Sequence, residues 1–243
     1  MPGTVDVKGF DSTIGYTQWA NKPAKQDAPV RTFPLTTSPL PLISLRSKLV
    51  ASLRAAGAIV ICKTNVPQTL LAFESCNPLW DRTLNPWSTA HTAGGSSGGE
   101  GALLAMDGAV LGVGTDIGGS IRIPSGYCGI YGFKPGHGRI SYGGMAGAFA
   151  RHRRGVVPFP FVTPRLRTDP NPGFEAIHAV AGPMARSVSD LERMSRVLFG
   201  SRDGEDSYFP TPIPYRDVKL PEKLRFGYYL NGACYDARAT GAS

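Results

Sequence analysis

The chain has 243 residues, of which 42% are hydrophobic and 18% charged, and it carries a net charge of +8. A chain of this length can bury a real core, and its 30 glycines and 21 prolines predict many turns. The sequence argues against a membrane span, because no apolar run nears the roughly 18–20 residues required, and against a secretory leader, because Met1–Asp6 lacks the basic and apolar regions of one.

The positive charge is local. Arg31 and Arg46 give segment 30–46 a net +2, and five arginines against Asp169 give segment 147–172 a net +4. Those segments hold six of the eight excess charges, unlike a nucleic-acid-binding face built into a fold. The run Arg151-His152-Arg153-Arg154 can touch phosphate, but a solvated loop is the plainer reading. Cys62, Cys76, Cys128 and Cys234 show no CxxC spacing. They read as reduced thiols in a cytoplasmic protein, with neither zinc nor disulfides implied.

In chain order, residues 5–20 are turn-rich and weakly periodic. Residues 21–45 hold five prolines and cannot be helix or central strand. A helix begins near Ser47, with Leu49, Val50, Leu53 and Ala56 on its stripe and Gly57 as its stop. Ala58–Cys62 is an apolar run of strand length. Helix, glycine and buried strand in succession predict an α/β fold. Residues 63–92 read mostly as loop. Ser96 or Ser97 can cap a helix running through Glu100 to Met106, with the Glu100 charge suited to its first turn. A buried strand is predicted at Ala109–Gly114 and another at Ile130–Phe133. Residues 143–172 lose periodicity. Ser187 or Ser189 caps a last helix through Leu198, ended by Gly200, and Leu224–Leu230 reads as a strand.

The chemistry concentrates between Gly94 and Pro124. Two glycine-flanked serines, Ser96 and Ser120, lie 24 residues apart around the apolar link. Glycine pairs let backbone N–H groups turn toward a bound group, and a serine beside such a turn can be a nucleophile next to an oxyanion site. Two flexible turns around a buried strand is the bland alternative. Gly95-Ser96-Ser97-Gly98-Gly99 also fits G-x-S-x-G centred on Ser97, but Pro86–Ala93 is no lead-in strand. Only His137, His152 and His178 follow, none in a telling context. No Gly-Lys-Ser/Thr follows, so the run is not a P-loop, although phosphate at the helix start is chemically open.

Gly94–Gly99 followed by Thr115-Asp116-Ile117-Gly118-Gly119-Ser120-Ile121-Arg122-Ile123-Pro124 resembles the amidase signature family. Lys63–Gln68, Asn77–Leu79, Asn85–Trp87, Gly132–Pro135 and Gly182–Arg186 stand in the family's order. The match runs from about residue 5 to 230 except in the two basic segments, and is closest to the fungal acetamidase and fatty-acid amide hydrolase branch. The resemblance implies a single domain over 1–243, with 30–46 and 147–172 as insert-like segments. It implies a mixed β-sheet covered by helices on both faces, here partial. It implies hydrolysis of a small-molecule carboxylic amide, with no metal or cofactor, no nucleic acid and no membrane span. Ser120 is then the nucleophile and Ser96 the bridging serine, preceded by a cis peptide. The N–H groups of Ile117, Gly118, Gly119 and Ser120 form the oxyanion hole. Thr115, Asp116 and Arg122 hold that loop, and Ser97 donates to Ser96 or caps the helix. Leu70 and the region of Cys128 contact the acyl group or pack in the core.

The triad's base is a lysine six residues before the lysine matching Lys8, and that position is Pro2. Six extended residues span roughly 20 Å, so Lys8 cannot replace it. Lys63 is a family position but not the base. Family members are longer than this chain, so the resemblance implies an incomplete chain whose base is absent. An inactive amidase fold, binding or vestigial, is the alternative.

Overall fold

The computed structural model describes residues 1–24, 29–30, 45–46, 48–140, 145, 178–200 and 213–223. The strand expected at Leu224–Leu230, and nearly all of segments 30–46 and 147–172, lie outside the described residues. The elements are β1 (Pro29–Val30), β2 (Leu45–Arg46), α1 (Lys48–Ala55), β3 (Cys76–Asn77), β4 (Asp81–Arg82), β5 (Leu84–Asn85) and β6 (Ser88–Thr92). They continue as α2 (Gly98–Ala105), β7 (Leu111–Asp116), α3 (Arg122–Cys128), β8 (Tyr131–Gly132), β9 (Val180–Ala185) and α4 (Val188–Leu198).

Local sequence explains the long helices. Leu49, Val50 and Leu53 give α1 one buried stripe. It ends where the N–H of Gly57 reaches Arg54 O and that of Ala58 reaches Leu53 O, each at 2.9 Å, the paired bonds of a glycine stop. In α4, Leu191, Met194 and Leu198 recur at three and four residues and are buried. Of the two serines able to cap it, Ser187 does so, its hydroxyl accepting the Asp190 N–H at 3.1 Å.

The central sheet has the order β7-β9-β8. β7 and β9 are antiparallel, from Leu111 opposite Ala185 to Asp116 opposite Val180, and β8 adds Tyr131 opposite Ala185. Ala181 of β9 and Val113 of β7 share a core with Leu49 and Leu53 of α1 and Met194 and Leu198 of α4. Met184, three residues along β9, points to the opposite face and packs with Leu104 of α2 and Ile121. Helices therefore cover both faces, α1 and α4 on one and α2 with the start of α3 on the other. The fold is α/β. Its strand ladders are all antiparallel among the described residues, and parallel pairing is confined to the isolated bridges Pro2–Thr64 and Lys8–Ala24.

Three expectations are corrected, at Ala58–Cys62, at the start of β7 and within 63–92, and two elements, α3 and β9, lie where the sequence reading placed none. Ala58–Cys62 joins no ladder among the described residues, and its Ile59 and Ile61 side chains are 85% and 59% exposed. Strand β7 begins two residues later than the apolar run suggests. Residues 122–128 are helical, since Pro124 sits in the first turn, where its missing N–H would have no helical partner. Val180–Ala185 is a central strand despite Pro183. Its carbonyl accepts the Phe133 N–H at 3.0 Å, so the proline nitrogen faces the end of short β8 and breaks no bond to β7. Within 63–92, the expected loop closes into the hairpins β3–β4 and β5–β6.

Candidate active site

Two turns meet at the end of β7. The first, Gly94–Ser97, enters α2, and its Gly95–Ser96 peptide is cis. Only glycine fits at position 95, since a Cβ there would lie 2.7 Å from Ala72 O and from Glu74 N. Ser96 and Ser97 are buried. Ser97 occupies the N-cap position, yet its hydroxyl does not cap the helix. It accepts the Thr115 N–H at 3.2 Å and donates to Thr115 O at 3.5 Å instead. The expected cap is thus corrected, because the open edge of β7 competes for the same oxygen. The Ser97 N–H donates to the carbonyl of Ser120 at 3.1 Å, which joins the first turn directly to the second.

The second turn is organised by Asp116, whose side chain is wholly buried. Its Oδ1 accepts the Gly119 N–H at 2.8 Å and its Oδ2 the Ile121 N–H at 3.0 Å. Arg122 adds a two-pronged contact, Nη2 to Oδ1 at 3.0 Å and Nε to Oδ2 at 3.1 Å. Burial alone would push the Asp116 carboxyl up. The Arg122 hydrogen bonds, the Ile121 and Gly119 N–H groups and the Arg122 charge outweigh it and hold the carboxyl below its ordinary value. Arg122 is raised by the same hydrogen bonds and by the Asp116 charge. One expectation is corrected here: the Gly119 N–H is directed into Asp116, so it does not face an oxyanion. Gly118 is exposed, and a Cβ there would meet nothing within 4 Å, whereas Ser120 beside it is buried to 7% exposure. The second turn thus presents open space next to a sheltered hydroxyl.

Glu100 does more than sit favourably in the first turn of α2. It is 1% exposed, its Oε1 accepts the Val113 N–H at 3.0 Å and its Oε2 the Thr64 hydroxyl at 2.6 Å. The Met1 amino group lies 3.1 Å and 3.0 Å from the two oxygens. The N–H groups of Val113 and Thr115 face away from β9, and Glu100 and Ser97 of the α2 start satisfy them. This edge docking fixes the helix to the strand that delivers Ser120.

The remaining candidates stand apart from this cluster. Lys63 Nζ donates to Val5 O, to Asp11 O at 3.3 Å and to Ser12 Oγ at 2.9 Å, clamping the 5–12 segment. Lys8 is exposed, and Pro2 is buried beside Thr64. Leu70 is half-buried, at the end of the turn Gln68–Leu70 with a left-handed backbone. The Cys128 thiol is buried and donates to Ala93 O at 3.4 Å; burial pushes it up to about 11, which leaves it a packing group. Sequence reasoning missed Ser75, which is 0% exposed and lies against the first turn. Its contacts reach across 21 residues, and nothing in its local sequence marks it. Among the described residues no helix is long and apolar enough to cross a membrane.

A family model described as Amidase matches residues 44–239. The chain is 36% identical over 231 residues to an acetamidase of Emericella nidulans, covering 92% of this chain and 35% of that protein. It is 37% identical over 228 residues to fatty-acid amide hydrolase 1 of Sus scrofa, covering 91% of this chain and 32% of that protein. A solved structure of a fatty acid amide hydrolase superposes with a TM-score of 0.66 at 29% identity, over 91% of this chain and 32% of the other. The chain spans about a third of the length of the curated relatives it matches.

Proposed function

The chain belongs to the amidase signature family, and from that membership we propose that its two serine turns hydrolyse a carboxylic amide to acid and amine. Ser120 attacks the amide carbonyl and forms the Oγ–carbon bond of an acyl-enzyme. In the family's scheme Ser96 relays the Ser120 proton to a lysine base and back to the leaving amine as the carbon–nitrogen bond breaks; that lysine's position here is Pro2. Water then cleaves the acyl ester by the same relay and restores Ser120. The N–H groups of Ile117, Gly118 and Ser120 receive the oxyanion, since that of Gly119 is bound to Asp116. A small amide or a fatty-acid amide fits the acetamidase and the fatty-acid amide hydrolase among its relatives.

The observation that carries this reading is the 3.1 Å bond from the Ser97 N–H to the Ser120 carbonyl, which brings both serine turns to one place. Buried Asp116 supports it by fixing the loop from both ends. The test is turnover of a simple aryl amide by the chain and by Ser120→Ala. Turnover that the substitution abolishes supports the reading, and turnover that survives it contradicts the assignment.

A second reading has one observation in its favour: Pro2 stands where the resemblance puts the base lysine. On that reading the fold retains the serine loop without turnover. Pro2→Lys separates the two. A rise in aryl-amide turnover of about 10²-fold or more, the scale of general-base catalysis, supports a site lacking only its base.

A further inference from the structure

Ser75 immediately precedes β3 and is fully buried. Its hydroxyl donates to the carbonyl of Ser96 at 3.1 Å and accepts the N–H of Gly98 at 2.9 Å. A serine hydroxyl has one proton to give, and this one is committed to Ser96. The main chain of Ser75 is fixed as well. Its N–H donates to Gly94 O at 3.1 Å, and its carbonyl accepts the Thr83 N–H at 2.9 Å and the Asn65 side-chain amide at 3.3 Å. One residue therefore grips the serine turn at Gly94, Ser96 and Gly98. Gly98 is shaped to this contact, since a Cβ there would lie 2.5 Å from Ser75 Oγ.

We propose that Ser75 is a positioning residue for Ser96, on the reading that Ser96 and Ser120 perform amide hydrolysis. Ser97 pulls the turn toward β7, and Ser75 holds it from the opposite chain segment. The peptide plane that follows Ser96 is set between these two anchors, and with it the aim of the Ser96 hydroxyl. Being buried and bonded to main chain, Ser75 meets no substrate. Its loss therefore acts on the chemical step and leaves substrate binding alone.

The test compares the full chain with Ser75→Ala, Ser75→Cys and Gly98→Ala, measuring aryl-amide kcat and KM, thermal midpoint, and amide hydrogen exchange at Gly98. Ser75→Ala is expected to lower kcat by about 10²-fold, the scale of a small misplacement of a reacting group, with KM unchanged. Exchange at Gly98 accelerates in the same variant. Gly98→Ala reproduces the kcat loss from the other side of the contact, and Ser75→Cys recovers part of it, because a thiol is a weak donor and acceptor. If Ser75→Ala fails to fold, Ser75→Cys and Gly98→Ala decide by the same split between kcat and KM. A folded Ser75→Ala with unchanged kcat overturns the proposal, as does unchanged Gly98 exchange. A wild-type chain without Ser120-dependent turnover overturns the amide-hydrolysis reading instead, and the exchange measurement still decides whether Ser75 holds the turn.

Discussion

Asp116 is the residue through which the second serine turn is built. It gathers the main-chain N–H groups of Gly119, Ile121 and Arg122 and the Arg122 guanidinium around one buried carboxylate. Asp116→Asn keeps the size of the side chain but can accept at only one of its two former oxygens. We expect kcat for an aryl amide to fall by about 10²-fold, as for a reacting group displaced by about 1 Å. The pH dependence has a definite sign. The folded carboxyl lies below its ordinary value of 3.8, so its contribution to stability is complete well above 3.8 and is lost as pH falls through the lower folded value. Denaturant midpoints of wild type and Asp116→Asn should therefore differ at neutral pH and converge below 3.8. A gap that stays constant into acid would mean that the charge of Asp116 contributes nothing. The ordered motif named Asp116 and Arg122, which pair here, and Thr115, whose main chain bonds to Ser97. The capture of the Gly119 N–H was not legible there, because a motif names residues and not the direction of their peptide planes.

At the scale of elements, strands and helices were legible wherever periodicity and stop residues agreed. Helix α1 with Gly57, helix α2 after Ser97 and helix α4 after Ser187 follow local chemistry. Strand β9 did not, because Pro183 argues against a central strand until its nitrogen is seen to face the end of β8. Helix α3 was hidden by its own proline. The run Ala58–Cys62 has strand composition but lacks a partner among the described residues, and a ladder is a property of two segments. The tightest approach to main chain in the sheet is at Gly182, where a Cβ would lie 2.1 Å from Phe133 O and 2.9 Å from Pro135 Cδ. Main-chain atoms cannot step aside as a flexible side chain can. Gly182→Ala should cost about 1–3 kcal/mol, or roughly 2–12 °C in Tm for a domain of this size. Gly126→Ala is the control, since a Cβ there meets nothing within 4 Å and alanine favours the helix. Equal midpoints for the two variants would contradict the packing described for β9.

For the whole molecule, the two-faced sheet explains how distant segments converge on one site, while part of the apolar surface stays uncovered. Ile59 at 85% and Ile61 at 59% exposed are the clearest case, on an extended apolar run with no ladder among the described residues. Exposed runs of this kind template association between chains. Ile59→Lys with Ile61→Lys is expected to reduce light scattering of concentrated samples and leave the thermal midpoint close to wild type; unchanged scattering would place the sticky surface elsewhere. On the proposed reading, the chain presents Ser120 as a nucleophile beside Ser96. The most direct measurement is labelling of the full chain with a fluorophosphonate, followed by mass mapping of the adduct. One covalent adduct on Ser120 is expected, absent from Ser120→Ala and slowed in Asp116→Asn. An adduct on another residue, or none on folded protein, would contradict that reading.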